Sequence, residues 1–338
     1  MTTVVKSLNK SLQTLLEQDP SVVLLGEDLV DPYGGTFKVT KGLSILFPHR
    51  VLSTPISEGT ITGMAAGMAM RGLRPIVEIM FGDFLTLCAD QLVNHIAKYR
   101  WMYNDQVTVP LVVRTPMGGR RGYGPTHSQT TEKLFCGVPG LQIVAVNRLT
   151  DPGQLLEQAV KVDEPVLFIE NKTLYPQPLH EISNGRLQDS WVRWVGEEFP
   201  TAIISWTAFE DAAVTLVAYG GISEIVLQAA RELMLEDELA CEVVVPSHIK
   251  PFDLDPLLAS AKRSGHLAVF EEGTEGWGWG REVAYQALRA LPELAGRTIA
   301  CGSRDLPIGN SKALEDRTLL QVEDVKRITR ELMQGGRS

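Results

Sequence analysis

Residues 54–59 read Thr54-Pro55-Ile56-Ser57-Glu58-Gly59, and residues 127–129 read His127-Ser128-Gln129. What lies between them can be assigned by pattern. Gly63, Ala65, Ala66, Gly67 and Ala69 mark a helix of small residues that ends near Arg71, and Pro55 keeps the chain out of helix until Ser57 or Glu58. Glu58 therefore falls in the first helical turn, where a carboxylate also compensates the helix dipole. A short strand is predicted over 74–78, a helix over 89–99 carrying Gln91, Asn94 and Lys98, and an apolar strand over 110–114. The segment 117–127 then holds Gly118, Gly119, Gly122, Gly124 and Pro125, a loop of unusual backbone freedom that ends at His127. Loops of this length in compact domains usually carry function. The alternation predicts an α/β domain with one carboxylate and one imidazole at element ends, where parallel sheets open binding crevices. Taken alone, Glu58 also reads as a dipole-compensating residue and His127 as a solvated or capping histidine.

Working outward, Val4, Leu8, Leu12 and Leu15 recur at helical spacing, so residues 3–17 form an amphipathic opening helix that Pro20 ends. Residues 22–26 suit a strand buried on both faces. Glu27 and Asp28 end it, and Asp31-Pro32-Tyr33-Gly34-Gly35 follows as a turn-rich loop. Strands over 51–53, 142–146 and 165–170 and a helix over 151–162 complete a first domain, 1–175. Residues 176–211 show few clear periods and read as a linker with some local structure. From 212 to 338 the alternation resumes, with strands over 214–219, 241–245, 266–271 and 297–301 and helices over 223–235, 254–263 and 281–291. This predicts a second mostly parallel sheet covered by helices. Gly63, Ala66, Gly67 and Met70 make a smooth helix face suited to close packing, possible also against another subunit.

The chain has 338 residues, about two domains by the usual length of ~150 residues each. Its 44% hydrophobic and 22% charged residues suit a globular protein with a sizeable core. A net charge of −9 argues against a broad nucleic-acid surface or a polybasic membrane patch. No metal-ligand or Cys-x-x-Cys spacing joins Cys88, Cys136, Cys241 and Cys301, which read as buried thiols in a reducing cytoplasm. No signal peptide and no membrane-spanning run are read. Gly276-Trp277-Gly278-Trp279-Gly280 is spaced Gly-x-Gly-x-Gly, not Gly-x-Gly-x-x-Gly, and reads as a tight turn or an exposed Trp pair, not a dinucleotide site.

Several motifs in fixed order are familiar: Gly26-Glu27-Asp28, Tyr33-Gly34-Gly35-Thr36-Phe37-Lys38-Val39-Thr40, Thr54-Pro55-Ile56-Ser57-Glu58, and Gly72-Leu73-Arg74-Pro75-Ile76-Val77-Glu78. His127-Ser128-Gln129, Pro139-Gly140-Leu141 and Pro165-Val166-Leu167-Phe168 follow. Nearly end to end, the chain resembles the beta subunits of the thiamine-diphosphate-dependent component of 2-oxoacid dehydrogenase complexes (pyruvate, branched-chain and acetoin types). The resemblance implies a transketolase-like fold, a pyrimidine-binding domain followed by a smaller C-terminal domain, and an alpha2beta2 heterotetramer. By motif position it makes Glu58 the carboxylate that hydrogen-bonds the aminopyrimidine of thiamine diphosphate, which favours the tautomer able to accept the thiazolium proton. It places Met80 and Phe84 against the pyrimidine ring, in an apolar slot that would desolvate Glu58. It makes His127 the loop histidine that positions the 2-oxoacid and assists transfer to lipoamide. Arg120 and Arg121 in the loop before it are candidates to attract a carboxylate.

The family's Gly-Asp-Gly segment with its later Asn pair, which holds magnesium and diphosphate, has no counterpart here. Gly82-Asp83 is followed by Phe84, and Asn-Asn does not occur. The resemblance therefore implies half an active site, with no metal ligand in this chain and Mg2+ held by an alpha subunit. The family's Gly-Lys-Ala segment is missing from 181–211, and Pro246 and His248 stand where Leu and Thr are common. These departures leave room for a decarboxylating enzyme of a specialised pathway with another acceptor, or for a non-catalytic scaffold, beside a dehydrogenase that passes its acyl group to a lipoyl-domain acyltransferase.

Overall fold

In the computed structural model, residues 1–335 are described. The expected second domain, 212–338, has its last three residues outside them. The chain forms two compact units: residues 1–118 with 126–179, and residues 119–125 with 180 onward.

The first unit opens with α1 (Val4–Gln18), whose apolar residues Val4, Leu8, Leu12 and Leu15 are buried and whose N-cap Thr3 accepts from the Lys6 backbone N–H. Strands β1 (Val22–Gly26), β2 (Val51–Ser53), β3 (Arg74–Glu78), β4 (Val112–Met117), β5 (Gln142–Ala145) and β6 (Val166–Asn171) follow, alternating with α2 (Leu43–Leu46), α3 (Glu58–Met70), α4 (Tyr99–Met102), α5 (Lys133–Cys136) and α6 (Pro152–Lys161). Within this unit the strands lie in the order β5-β6-β4-β3-β1-β2. Every one of these pairings is parallel. β1 and β6 are buried at every position, as a sheet covered on both faces requires. α6 starts at an Asp151 N-cap with Pro152 in its first turn and packs on α1, where Ser11 Oγ donates to the Gly153 carbonyl at 2.8 Å.

The helix expected over 89–99 is not one helix. Residues Gly82–Cys88 form a 3₁₀ segment, Gln91–Ile96 a π-helical turn, and α4 a last short turn. Among the buried residues are Leu85, Cys88, Leu92 and Ile96. Their three-then-four spacing satisfies an apolar stripe whether or not the hydrogen-bond pattern stays uniform, so periodicity cannot separate these cases.

The second unit holds β7 (Ile182–Ser183), β8 (Arg186–Leu187), β9 (Ser190–Val195), β10 (Thr201–Ser205), β11 (Val214–Ala218), β12 (Cys241–Pro246), β13 (His248–Lys250), β14 (Leu267–Thr274) and β15 (Thr298–Ser303). Its helices are α7 (Ile222–Asp237), α8 (Asp255–Ser264), α9 (Trp279–Ala290), α10 (Lys312–Thr318) and α11 (Val322–Met333). The sheet order is β15-β14-β11-β12-β10-β9-β8-β7. From β15 to β12 the pairs are parallel, and from β12 to β7 they are antiparallel, so this sheet is mixed. Residues 176–211, expected as a linker, thus carry the strands β7–β10. Their pattern is obscured because β9 exposes Trp191 and then Arg193, Trp194 and Val195, while Arg186 lies over the Trp191 ring at 3.8 Å.

Gly276-Trp277-Gly278-Trp279-Gly280 is the capped entry to α9. The Glu271 carboxylate accepts from the backbone N–H groups of Trp279 (3.1 Å) and Gly280 (3.2 Å), and a Cβ on Gly278 would fall 1.8 Å from it. A glycine is needed there because a carboxylate, not a pyrophosphate, occupies the helix start. Trp279 is buried and Trp277 is 96% exposed.

Candidate active site

In a parallel sheet all strands end on one edge, and in the first unit that edge gathers the titratable and aromatic residues. Glu27 follows β1, Glu58 follows β2, Met80 to Phe84 follow β3, His127 lies beyond β4, and Lys172 follows β6.

Glu58 is the first residue of α3, after N-cap Ser57. Its side chain is 6% exposed, and no hydrogen bond reaches its carboxylate among the described residues. Glu27, 4% exposed, is its electrostatic neighbour. Burial pushes the Glu27 carboxyl above the ordinary carboxylate range and the Glu58 charge adds to the push, against a hydrogen bond from the Ser57 backbone N–H. Cys88 shares the neighbourhood: burial raises its thiol to about 11, Thr62 opposes by hydrogen bonding, and the charges of Glu58 and Glu27 add. Glu27 Oε1, Thr54 Oγ1 and Gln91 Oε1 are buried without a partner. The Gln91 amide stands over Gly59, where an added Cβ would lie 3.4 Å from Oε1. Buried polar atoms are rarely left unpaired without a functional cause.

His127 is half-buried, and its imidazole stands in an aromatic frame. The Phe81 ring meets it edge-on at 4.7 Å between centroids and the Phe84 ring at 5.3 Å. Thr126 Oγ1 is 3.0 Å from Nδ1. Phe84 and His127 are therefore brought together, and the Phe84 carbonyl also meets Cys88 Sγ at 4.0 Å, on the Glu58 side. Met80 sits half-buried between β3 and this frame. Gly82 lets the segment lie close to β4, since a Cβ there would fall 2.4 Å from Met117 Cγ.

Beneath the frame lies a buried ionic cluster. Arg114 donates to Glu170 through Nε (2.8 Å) and Nη2 (2.7 Å) and to Glu78 through Nη1, while Tyr175 donates its hydroxyl to Glu170. Burial pushes the Glu78 carboxyl up, with Arg114 the main opposing influence. Phe37 joins the cluster to the frame, 5.2 Å from Tyr175 and 5.7 Å from Phe81.

The glycine-rich loop before His127 has bonding partners of its own. Arg120 donates to the Leu320 carbonyl at 2.6 Å and the Gly122 N–H to Glu315 at 3.1 Å, within the second unit. Arg120 and Arg121 line a cavity of about 480 Å³ there with Asn310, Lys312 and Glu315. Arg120 is thus committed to a backbone carbonyl.

Sequence reasoning passed over Glu27, Phe81, Asp83 and Lys172 as site residues. The signal that could have found them is position, since Glu27, Phe81, Asp83 and Lys172 all lie on segments that leave the carboxyl ends of strands.

Comparison with known proteins agrees with this arrangement. Residues 1–178 match the transketolase pyrimidine-binding domain and residues 208–325 the transketolase C-terminal domain. The chain is 32% identical to the beta subunit of acetoin:2,6-dichlorophenolindophenol oxidoreductase from Cupriavidus necator, over 98% of this chain and 97% of that one. It is 33% identical to the mitochondrial pyruvate dehydrogenase subunit beta-2 of Oryza sativa subsp. japonica, over 96% and 84%. Among solved structures, a split-gene transketolase described as an inactive beta4 tetramer superposes with a TM-score of 0.75 at 21% identity, covering 100% of both chains, and shows the fold. The chain belongs to the transketolase-like family that includes the beta subunits of acetoin and pyruvate dehydrogenases.

Proposed function

We propose that this chain is the beta subunit of a thiamine-diphosphate-dependent 2-oxoacid dehydrogenase, active with an alpha subunit and passing its acyl group to a lipoyl domain. The observation that carries this reading is Glu58: a buried carboxylate at a helix start, beside the raised Glu27 carboxyl, with no hydrogen bond of its own. Such a carboxylate, with Glu27 as its electrostatic neighbour and further unpartnered buried oxygens on Glu27, Thr54 and Gln91, fits a heterocycle that both donates and accepts hydrogen bonds. The apolar wall of Met80, Phe81 and Phe84 fits its flat face.

When bound, thiamine diphosphate supplies the reactive carbon and the electron sink for decarboxylation. This chain's residues do the rest of the half-site's work. Glu58 would hydrogen-bond the aminopyrimidine nitrogen and exchange a proton there, general acid–base work of a kind worth ~10²–10⁴ in rate. Glu27 is the neighbouring carboxyl, its ionisation opposed by burial and by the Glu58 charge. Thr126 Oγ1 meets Nδ1, which leaves Nε2 of His127 for the oxygens of a 2-oxoacid, and the Phe81 and Phe84 rings fix the plane of the imidazole.

Magnesium and diphosphate are assigned to the alpha partner. This is supported by the missing Gly-Asp-Gly and Asn pair. The partner would meet the open face of α3, where Gly63, Met64, Gly67 and Met70 are exposed. The buried thiols Cys88, Cys241 and Cys301 suit a reducing compartment, and we place the protein in the cytoplasm on that ground. Among the described residues no helix is long and apolar enough to cross a membrane.

The test is co-expression with an alpha-type subunit, then decarboxylation of a panel of 2-oxoacids with an artificial electron acceptor. Turnover that needs thiamine diphosphate and Mg2+ and falls about 100-fold or more in Glu58→Ala is the expected result. Turnover indifferent to Glu58, or chains that do not associate, would overturn the reading.

A further inference from the structure

Lys172, directly after β6, is 0% exposed, and its ammonium has a definite place. Burying such a charge costs several kcal/mol unless it is bonded, so its contacts are specified by the fold and are not incidental. Nζ donates to the backbone carbonyl of His127 at 2.7 Å and lies 5.3 Å from the centre of the Phe81 ring. Phe81 is in turn the nearer of the two rings that meet the His127 imidazole. One side chain therefore holds both the peptide that carries His127 and the ring against which the imidazole rests.

That support is needed because local sequence does not provide it. His127 ends a run in which Gly118, Gly122 and Gly124 all have positive φ, a backbone that local side chains do not fix. The outgoing chain is tied: Gln129 bonds to Asp83, and Thr131 Oγ1 donates to the Gly82 carbonyl at 2.6 Å. The His127 carbonyl itself is held by the ammonium of Lys172, from a different strand.

We propose that Lys172 is a positioning residue for His127, setting the imidazole's place through the backbone and through Phe81 without touching substrate. This rests on the reading of His127 as part of the active site. Misplacement of a catalytic group by about 1 Å can cost ~10²-fold in rate.

Two readouts test it. In the chain alone, diethylpyrocarbonate acylates imidazoles, and peptide mass spectrometry reads each of the 6 histidines separately. In Lys172→Met, which keeps length and loses the donors, acylation at His127 should rise about fivefold while the other histidines stay as they are. Lys172→Arg, which keeps a cation and donors, should return most of the wild-type rate, and Phe81→Leu should move His127 in the same direction as Lys172→Met. In the assembled enzyme Lys172→Met should lower kcat about tenfold or more with KM little changed. An unchanged His127 rate in Lys172→Met, or an equal rise at every histidine, would overturn the proposal, and Phe81→Leu decides it alone should Lys172→Met fail to fold. Absence of turnover in the wild-type assembly would strike the proposed function instead, and the acylation readout would still decide on Lys172.

Discussion

Asp83 holds Gln129 by two bonds. Its Oδ1 accepts the Gln129 side-chain amide at 2.8 Å and the Gln129 backbone N–H at 3.3 Å. Gln129 is two residues past His127, so a buried carboxylate on the 3₁₀ segment after β3 fixes the exit of the loop that leaves β4. Asp83→Ala removes the acceptor of both bonds from Gln129, an exposed residue whose amide can turn to water, and should lower stability by about 0.5–1.5 kcal/mol. Asp83→Asn keeps an acceptor and should cost less. Urea unfolding of the two variants, compared at equal slope, checks the order.

Arg114 lies between two carboxylates in the first unit's core, and all three side chains are buried. Arg114→Met removes the cation and leaves Glu78 and Glu170 facing each other. The expected loss is about 3–5 kcal/mol, the size found when one partner of a buried ion pair is deleted. The double variant Arg114→Met with Glu170→Gln should recover part of it, read as a shift of the unfolding midpoint.

The raised Glu27 carboxyl makes stability pH-dependent with a definite sign. The folded chain holds this proton more tightly than the unfolded chain, whose carboxyl has the ordinary value of 4.5. Stability therefore falls as pH rises from 4.5 through the raised folded value, and the deficit is complete above it. Glu27→Gln removes the titrating group, so it should flatten this slope and raise stability most at neutral and alkaline pH. Denaturation midpoints at about pH 5 and about pH 8 measure it, and a variant with an unchanged slope would contradict the assignment.

Gly278→Ala tests the entry to α9. The new Cβ must displace the Glu271 carboxylate that caps Trp279 and Gly280, and losing those bonds should cost about 1–3 kcal/mol. Gly276→Ala is the contrast, because nothing lies within 4 Å of a Cβ there. The difference in thermal midpoint between the two variants reads the cap directly.

The sequence by itself determined the alternation of the first unit and the place of Glu58. Fully apolar runs such as Val22–Gly26 can only be strands buried on both faces, and Pro55 with the small residues behind it sets where α3 begins. It did not show β7–β10, because an antiparallel edge with Trp191 and Trp194 exposed breaks the rule that apolar residues point inward. Nor did it show that residues 82–102 change from 3₁₀ to π to α, since backbone hydrogen bonding leaves little trace in side-chain spacing.

The half-site divides the same way. Glu58 and His127 stand out in sequence because each sits at the end of a recognisable motif. That His127 is framed by Phe81 and Phe84, carried by Lys172 and followed by a residue tied to Asp83 was decided only by the tertiary structure. The physical reason is separation along the chain. Lys172 and His127 are 45 positions apart and meet because β4 and β6 are adjacent parallel strands, a pairing set by the packing of the whole sheet and not by the residues near either end.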